Sequence, residues 1–119
     1  MGKWSQNRRR GGGGQASIQF APPGADDWSM SFASPPDLRF TAGEPDVPGP
    51  GYLMEFQYYR VDTPTTILAP APAIIDQGDL TSAVGLTAGV LYGGRARWID
   101  PTGTTAVSGW SEEKRATFV

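Results

Sequence analysis

Short runs in which apolar and polar residues alternate, each closed by proline or glycine, dominate this chain and constrain it toward β-structure. Trp28, Met30 and Phe32 alternate with Ser29 and Ser31, the period of a strand with one face in a core. From Tyr52 to Val61 the pattern is clearer: Met54, Phe56 and Tyr58 fall on one face, Leu53, Glu55, Gln57 and Tyr59 on the other. Val90 to Ile99 is a further alternating run. No helical periodicity extends beyond two turns. The 16 Gly and 11 Pro of 119 residues supply the breaks, at Pro22-Pro23-Gly24, Pro35-Pro36, the loop Gly43 to Gly51 and Pro101-Thr102-Gly103. Strands separated by turn signals at short spacing indicate an all-β sandwich of two sheets. The length provides one such core and not two.

Weaker signals fill in the order of elements. Ala16 to Phe20 is expected to be a first strand and Asp37 to Thr41 a short one. Thr65 to Leu68 reads as an edge strand, with Pro70 and Pro72 removing ladder donors and protecting the edge. Asp79 to Val84 leads to Leu86, and Ala116 to Val119 completes a last strand after Ser108 to Arg115.

Composition removes several classes of function. Without Cys there is neither a disulfide framework nor a thiolate metal site. Without His, the commonest general base and metal ligand is missing, and Ser-His-Asp or Cys-His arrangements are excluded. Asp26-Asp27, Asp76 and Asp79 sit beside turn residues, where Asp is favoured for local hydrogen bonding. No nucleophile, phosphate cradle or Asp-x-Asp-x-Asp-Gly loop accompanies them, so the expectation is a non-enzymatic protein with no cofactor and no metal. Gly11 to Gly14 is not a phosphate loop, since no Lys-Ser or Lys-Thr follows. No apolar run approaches the roughly 20 residues that span a bilayer, and the N-terminus lacks the apolar core of a signal peptide. The expectation is a soluble chain that is not exported on its own signal. Met1-Gly2-Lys3-Trp4-Ser5-Gln6 fails the myristoylation pattern at Gln6.

Charge divides the chain more sharply than hydropathy does. Residues 1–14 carry Lys3, Arg8, Arg9 and Arg10 and no acid, giving +4, whereas the remainder carries six basic and 12 acidic residues, giving −6. The four glycines Gly11 to Gly14 read as a flexible joint, so the organisation expected is a basic arm over 1–14 and a sandwich over 15–119. Trp4 lies among the cations. A Trp with an Arg triplet on a glycine joint reads as a tether that orders on a partner, making Lys3, Trp4, Arg8, Arg9 and Arg10 the candidate partner-binding set. Nucleic acid is disfavoured as that partner by the −6 body.

The stretch from Leu86 to Ser111 resembles the end of a fibronectin type III domain. The resemblance is carried by Leu86, Ala88-Gly89, Tyr92, the run Arg95 to Ile99, Gly103 and Ser108-Gly109-Trp110-Ser111. It implies a fibronectin type III-like (immunoglobulin-like) sandwich of about seven strands over 15–119, with the Trp28 run as second strand and Tyr52 to Val61 as third. Tyr92 falls where the family places its corner tyrosine, ring inward and hydroxyl bonded to nearby backbone. From Tyr92 the inward register runs Gly94, Ala96, Trp98 and the outward one Gly93, Arg95, Arg97, Ile99. Relatives usually carry larger aliphatic residues where Gly94 and Ala96 stand, so Trp28, Phe56 or Trp110 is expected to fill the space. Trp28, Phe56, Leu86, Tyr92 and Trp98 are thus structural residues. On the outer face, Arg95 and Arg97 are expected opposite Tyr59 and Glu55. With Trp110 they form a candidate recognition set, Tyr59, Arg95, Arg97 and Trp110, for a carboxylate or glycan. A solvated strand face with cross-strand pairs is the heavier reading of the same residues.

Short single-sandwich chains without Cys, His or a signal peptide also resemble structural proteins of tailed bacteriophage particles. This implies a capsid-decoration, tail or tail-tip protein, made in the host cytoplasm and present in the virion in many symmetric copies. Its partners would be other virion proteins, with the arm entering a neighbouring subunit and no membrane involved. The alternative is a glycan- or cell-surface-binding accessory module using Tyr59 and Trp110. Nucleic-acid binding through the arm ranks third.

Overall fold

The computed structural model describes residues 18–33, 37–64, 66–68 and 73–117. Seven strands occur among them: β1 Trp28–Ala33, β2 Asp37–Ala42, β3 Leu53–Arg60, β4 Ala73–Asp76, β5 Leu80–Ala83, β6 Leu91–Ile99 and β7 Lys114–Thr117. They form two antiparallel sheets, in the orders β1-β2-β5 and β4-β3-β6-β7, and the described residues contain no helix. The architecture is an all-β two-sheet sandwich, compatible with an immunoglobulin-like or fibronectin type III-like fold.

The alternation in β3 and β6 explains how the sheets close on one another. In register, Met54 faces Trp98, Phe56 faces Ala96 and Tyr58 faces Gly94, so each large residue on one strand meets a partner on the same inward face. Trp28, Leu38 and Phe40 from the other sheet complete the core. Phe40 stacks on Phe56 at 5.1 Å between ring centroids, and Trp28 tilts against the same ring at 5.8 Å. Each such fully buried side chain contributes roughly 1.5–3 kcal/mol from the apolar surface it withdraws from water.

The small residues of β6 make room for the opposing sheet. A Cβ at Gly94 would lie 2.6 Å from Met30 Sδ and 3.0 Å from Phe40 Cε1. Met30 and Phe40 therefore occupy the volume over Gly94, and Trp110 takes no part in it. Trp28 and Phe56 are core residues, as Trp98 is at 1% exposure. At the turn into β6, the Thr87 N–H donates to the Tyr92 hydroxyl at 3.0 Å, while the Tyr92 ring is buried and Leu86 packs half-buried against the core.

Among the described residues the Trp28 run is the first strand, Asp37–Ala42 the second and Leu53–Arg60 the third. Other expectations need correction. Ile18 to Phe20 is no strand: the N–H groups of Gln19 and Phe20 both donate to the Val107 carbonyl, at 2.8 and 3.0 Å. Ala16 and Ser17 lie outside the described residues. Of the edge expected at Thr65 to Leu68, one bridge forms, between Ile67 and Tyr59; Thr65, Pro70 and Pro72 lie outside the described residues. Among the described strands the edges of that sheet are β4 and β7; β4 is a short Ala-Ile-Ile-Asp strand that its length and the nearby prolines concealed. The last strand begins only at Lys114, because residues 108–113 follow β6 by a different pattern of bonds.

Candidate functional site

That pattern places the side chains of interest. Val107 N donates to the Trp98 carbonyl at 3.0 Å and Ser111 N to the Ala96 carbonyl at 2.7 Å. The reciprocal acceptors are side chains: Ser108 Oγ accepts from Trp98 N and Ser111 Oγ from Ala96 N, both at 2.9 Å. Each hydroxyl then donates onward, to the carbonyls of Gly109 and Glu112. Two serines thus stand where strand carbonyls would, keeping buried amides paired while the chain departs from ladder geometry.

Gly109-Trp110 lies between those serines, and Trp110 rests on the outer face of the four-stranded sheet. The guanidinium carbons of Arg95 and Arg97 each lie 4.4 Å from a Trp110 ring centroid, within range of the attraction between a cation and an aromatic face. Across the strand, Arg95 donates through Nε and Nη2 to Gln57 Oε1 at 3.1 and 2.8 Å. Arg97 pairs with Glu55, a carboxylate only 4% exposed. The expected partners were Tyr59 and Glu55; Glu55 is opposite Arg97, but Gln57 is opposite Arg95 and Tyr59 is opposite Gly93.

Tyr59 lies over Gly93. A Cβ there would come within 2.8 Å of the Tyr59 ring and 2.9 Å of a Glu113 carboxylate oxygen, so only glycine lets the ring cross the strand. The Tyr59 hydroxyl donates to Glu113, which also accepts from Arg115. Burial, then the hydrogen bond and negative charge of Glu113, push the Tyr59 phenol up to about 12, against smaller opposing effects of Arg95 and Arg115. The hydrogen bond from Tyr59 and that from Arg115 hold the Glu113 carboxyl below its ordinary value. At 6% exposure Tyr59 offers no ring face to a ligand, and Trp110 is itself half-buried.

Beside Trp110 a groove of about 500 Å³ opens between Pro22-Pro23 and Glu112, with Trp28 and Lys114 also lining it. Lys114 closes one side: Nζ donates to the Ala25 and Trp28 carbonyls, both at 2.8 Å, and stands 4.8 Å from the Trp28 ring centroid. The start of β1 is thereby tied to β7 across the gap between the sheets.

Tyr59, Arg95, Arg97 and Trp110 are brought together on one face, the two arginines against the Trp110 ring and bonded to Gln57 and Glu55, and Tyr59 bonded to Glu113. Lys3, Trp4, Arg8, Arg9 and Arg10 lie outside the described residues. The sequence assigns no site role to Gln57 or Glu113, and it marks Ser108 and Ser111 only as part of the resemblance; their role as a pair of substitute acceptors appears only in three dimensions. Among the described residues no group of three or more acidic side chains is placed to hold a metal ion, and no helix is long and apolar enough to cross a membrane. No family model matches the sequence, and no curated protein is significantly similar to it.

Proposed function

We propose that this chain is a non-enzymatic structural protein of a tailed-bacteriophage particle, a capsid decoration or tail component, anchored through residues 1–14 with the sandwich displayed. The observation that carries this reading is the state of the aromatic-cationic face around Trp110. Arg95 donates through Nε and Nη2 to Gln57, Arg97 is paired with Glu55, and Tyr59 is buried under its bond to Glu113. These groups hold the sheet together instead of waiting for a ligand, which suits a displayed body. The recognition chemistry this reading draws on is that of the arm, with Trp4 and four cations carrying +4 against a body of −6. Burial of an aromatic anchor and pairing of Arg8 to Arg10 with acids on a neighbour are the affinity terms such an arm supplies. Repetition in many copies multiplies a modest contact.

The test is protein analysis of purified particles produced from the genome that encodes this chain. The chain is expected at a fixed multiple of a known structural subunit, and its absence from particles while abundant in the lysate refutes the proposal.

A further inference from the structure

The outer face of the three-stranded sheet differs from the face just described. Cross-strand register places Ser31, Arg39 and Ser82 in one row and Ser29, Thr41 and Leu80 in the next, with Asp37 on the same face of β2 as Arg39. Ser29, Ser31, Arg39 and Ser82 are exposed, and Leu80 is 56% exposed. Arg60, Arg95, Arg97, Lys114 and Arg115 each have an ion pair, hydrogen bond or ring contact. Among the described residues Arg39 alone of the cations has none, and Asp37 has none either.

Asp37 and Arg39 stand two residues apart on one strand face, a separation of about 6.6–6.8 Å along the backbone, and they do not pair with each other. Their order makes the face self-complementary. With β2 of a second copy laid antiparallel across it, a two-fold axis at the level of Leu38 sets Arg39 against the other copy's Asp37 and the reverse, as an isologous contact requires. The hydroxyl residues around them are small, so they do not hold a facing copy away, and Leu80 of each copy supplies apolar area at the rim. Among the described residues these rows carry no aromatic side chain, unlike the ring-lined sites that take sugars.

We propose that the outer face of β1-β2-β5 is a two-fold interface between copies of this chain, held by reciprocal Arg39–Asp37 pairs. This goes beyond the anchoring role of the arm and does not depend on it. The test uses the full chain in sedimentation velocity across the micromolar range. The wild type is expected to dimerise reversibly and more weakly as salt rises. Arg39→Glu, at an exposed position, and Asp37→Lys, at a half-buried one, are expected to raise the dissociation constant at least about tenfold each. An equimolar mixture of the two variants is expected to form a heterodimer, and the exchange Asp37→Arg with Arg39→Asp to restore self-association. Far-ultraviolet circular dichroism confirms that each variant is folded. A wild type that stays monomeric, an Arg39→Glu chain that associates like the wild type, or a monomer that instead binds an acidic glycan through Arg39 overturns the proposal. Removing residues 1–14 is expected to leave this dimer intact, which separates its failure from failure of the anchoring role.

Discussion

The Ser108 hydroxyl accepts the backbone N–H of Trp98 at 2.9 Å in the buried core edge, where a strand carbonyl would ordinarily stand. Ser108 is 1% exposed. Replacing it with Ala leaves a buried amide without an acceptor, which costs roughly 1–3 kcal/mol. Urea unfolding of Ser108→Ala is expected to show that loss with an unchanged slope. Ser111→Ala, at a more exposed position, is expected to cost less. Equal, negligible effects would show that the hydroxyls are not the acceptors.

Tyr59 and Glu113 make stability depend on pH at both ends of the scale. The Tyr59 phenol is raised from 10.0 to about 12 in the fold, so its contribution is complete below pH 10 and is lost as pH rises from there through about 12. Glu113 is depressed below 4.5, so its contribution is present above that pH and is lost as pH falls through the folded value. Tyr59→Phe is expected to lose less stability than wild type between pH 10 and 12, measured by denaturant titration at each pH. Identical alkaline profiles would contradict this.

Gly93 permits the Tyr59–Glu113 bond by leaving space for the ring. Gly93→Ala is therefore expected to displace the phenol and bring its ionisation back toward 10, read as phenolate absorbance during an alkaline titration. An unchanged titration with Ala at position 93 would mean that the ring does not cross the strand there.

At Gly94 the obstruction comes from the opposite sheet, from Met30 and Phe40. Gly94→Ala overpacks the core and is expected to cost about 1–3 kcal/mol. Met30→Ala added to it removes the closest contact, so the pair is expected to be less destabilising than the sum of the single changes. Strict additivity would place Met30 elsewhere.

The core was legible in the sequence wherever a face alternated cleanly. Met54-Phe56-Tyr58 and the inward register from Tyr92 to Trp98 could be read because a half-buried strand imposes a period of two on residue chemistry. Trp110 was ambiguous for a physical reason. Its side follows from a departure between Ser108 and Ser111, and hydroxyls that replace carbonyls leave no periodic trace. The short β4 and the exposed Arg39 were missed similarly: four residues beside prolines carry too little pattern, and the lack of a partner is a property of the fold. Tyr59 reads as an outward ring by parity, and it is outward, yet Glu113 covers it from a segment distant in sequence.

The most direct measurement is co-sedimentation of purified particles, prepared without this protein, with the full chain and with a chain lacking residues 1–14. The full chain is expected to pellet with the particles to a saturating number of copies, and the shortened chain, checked for its fold by circular dichroism, to remain in the supernatant. Equal saturation by both chains would contradict anchoring by the arm and place attachment on the sandwich itself.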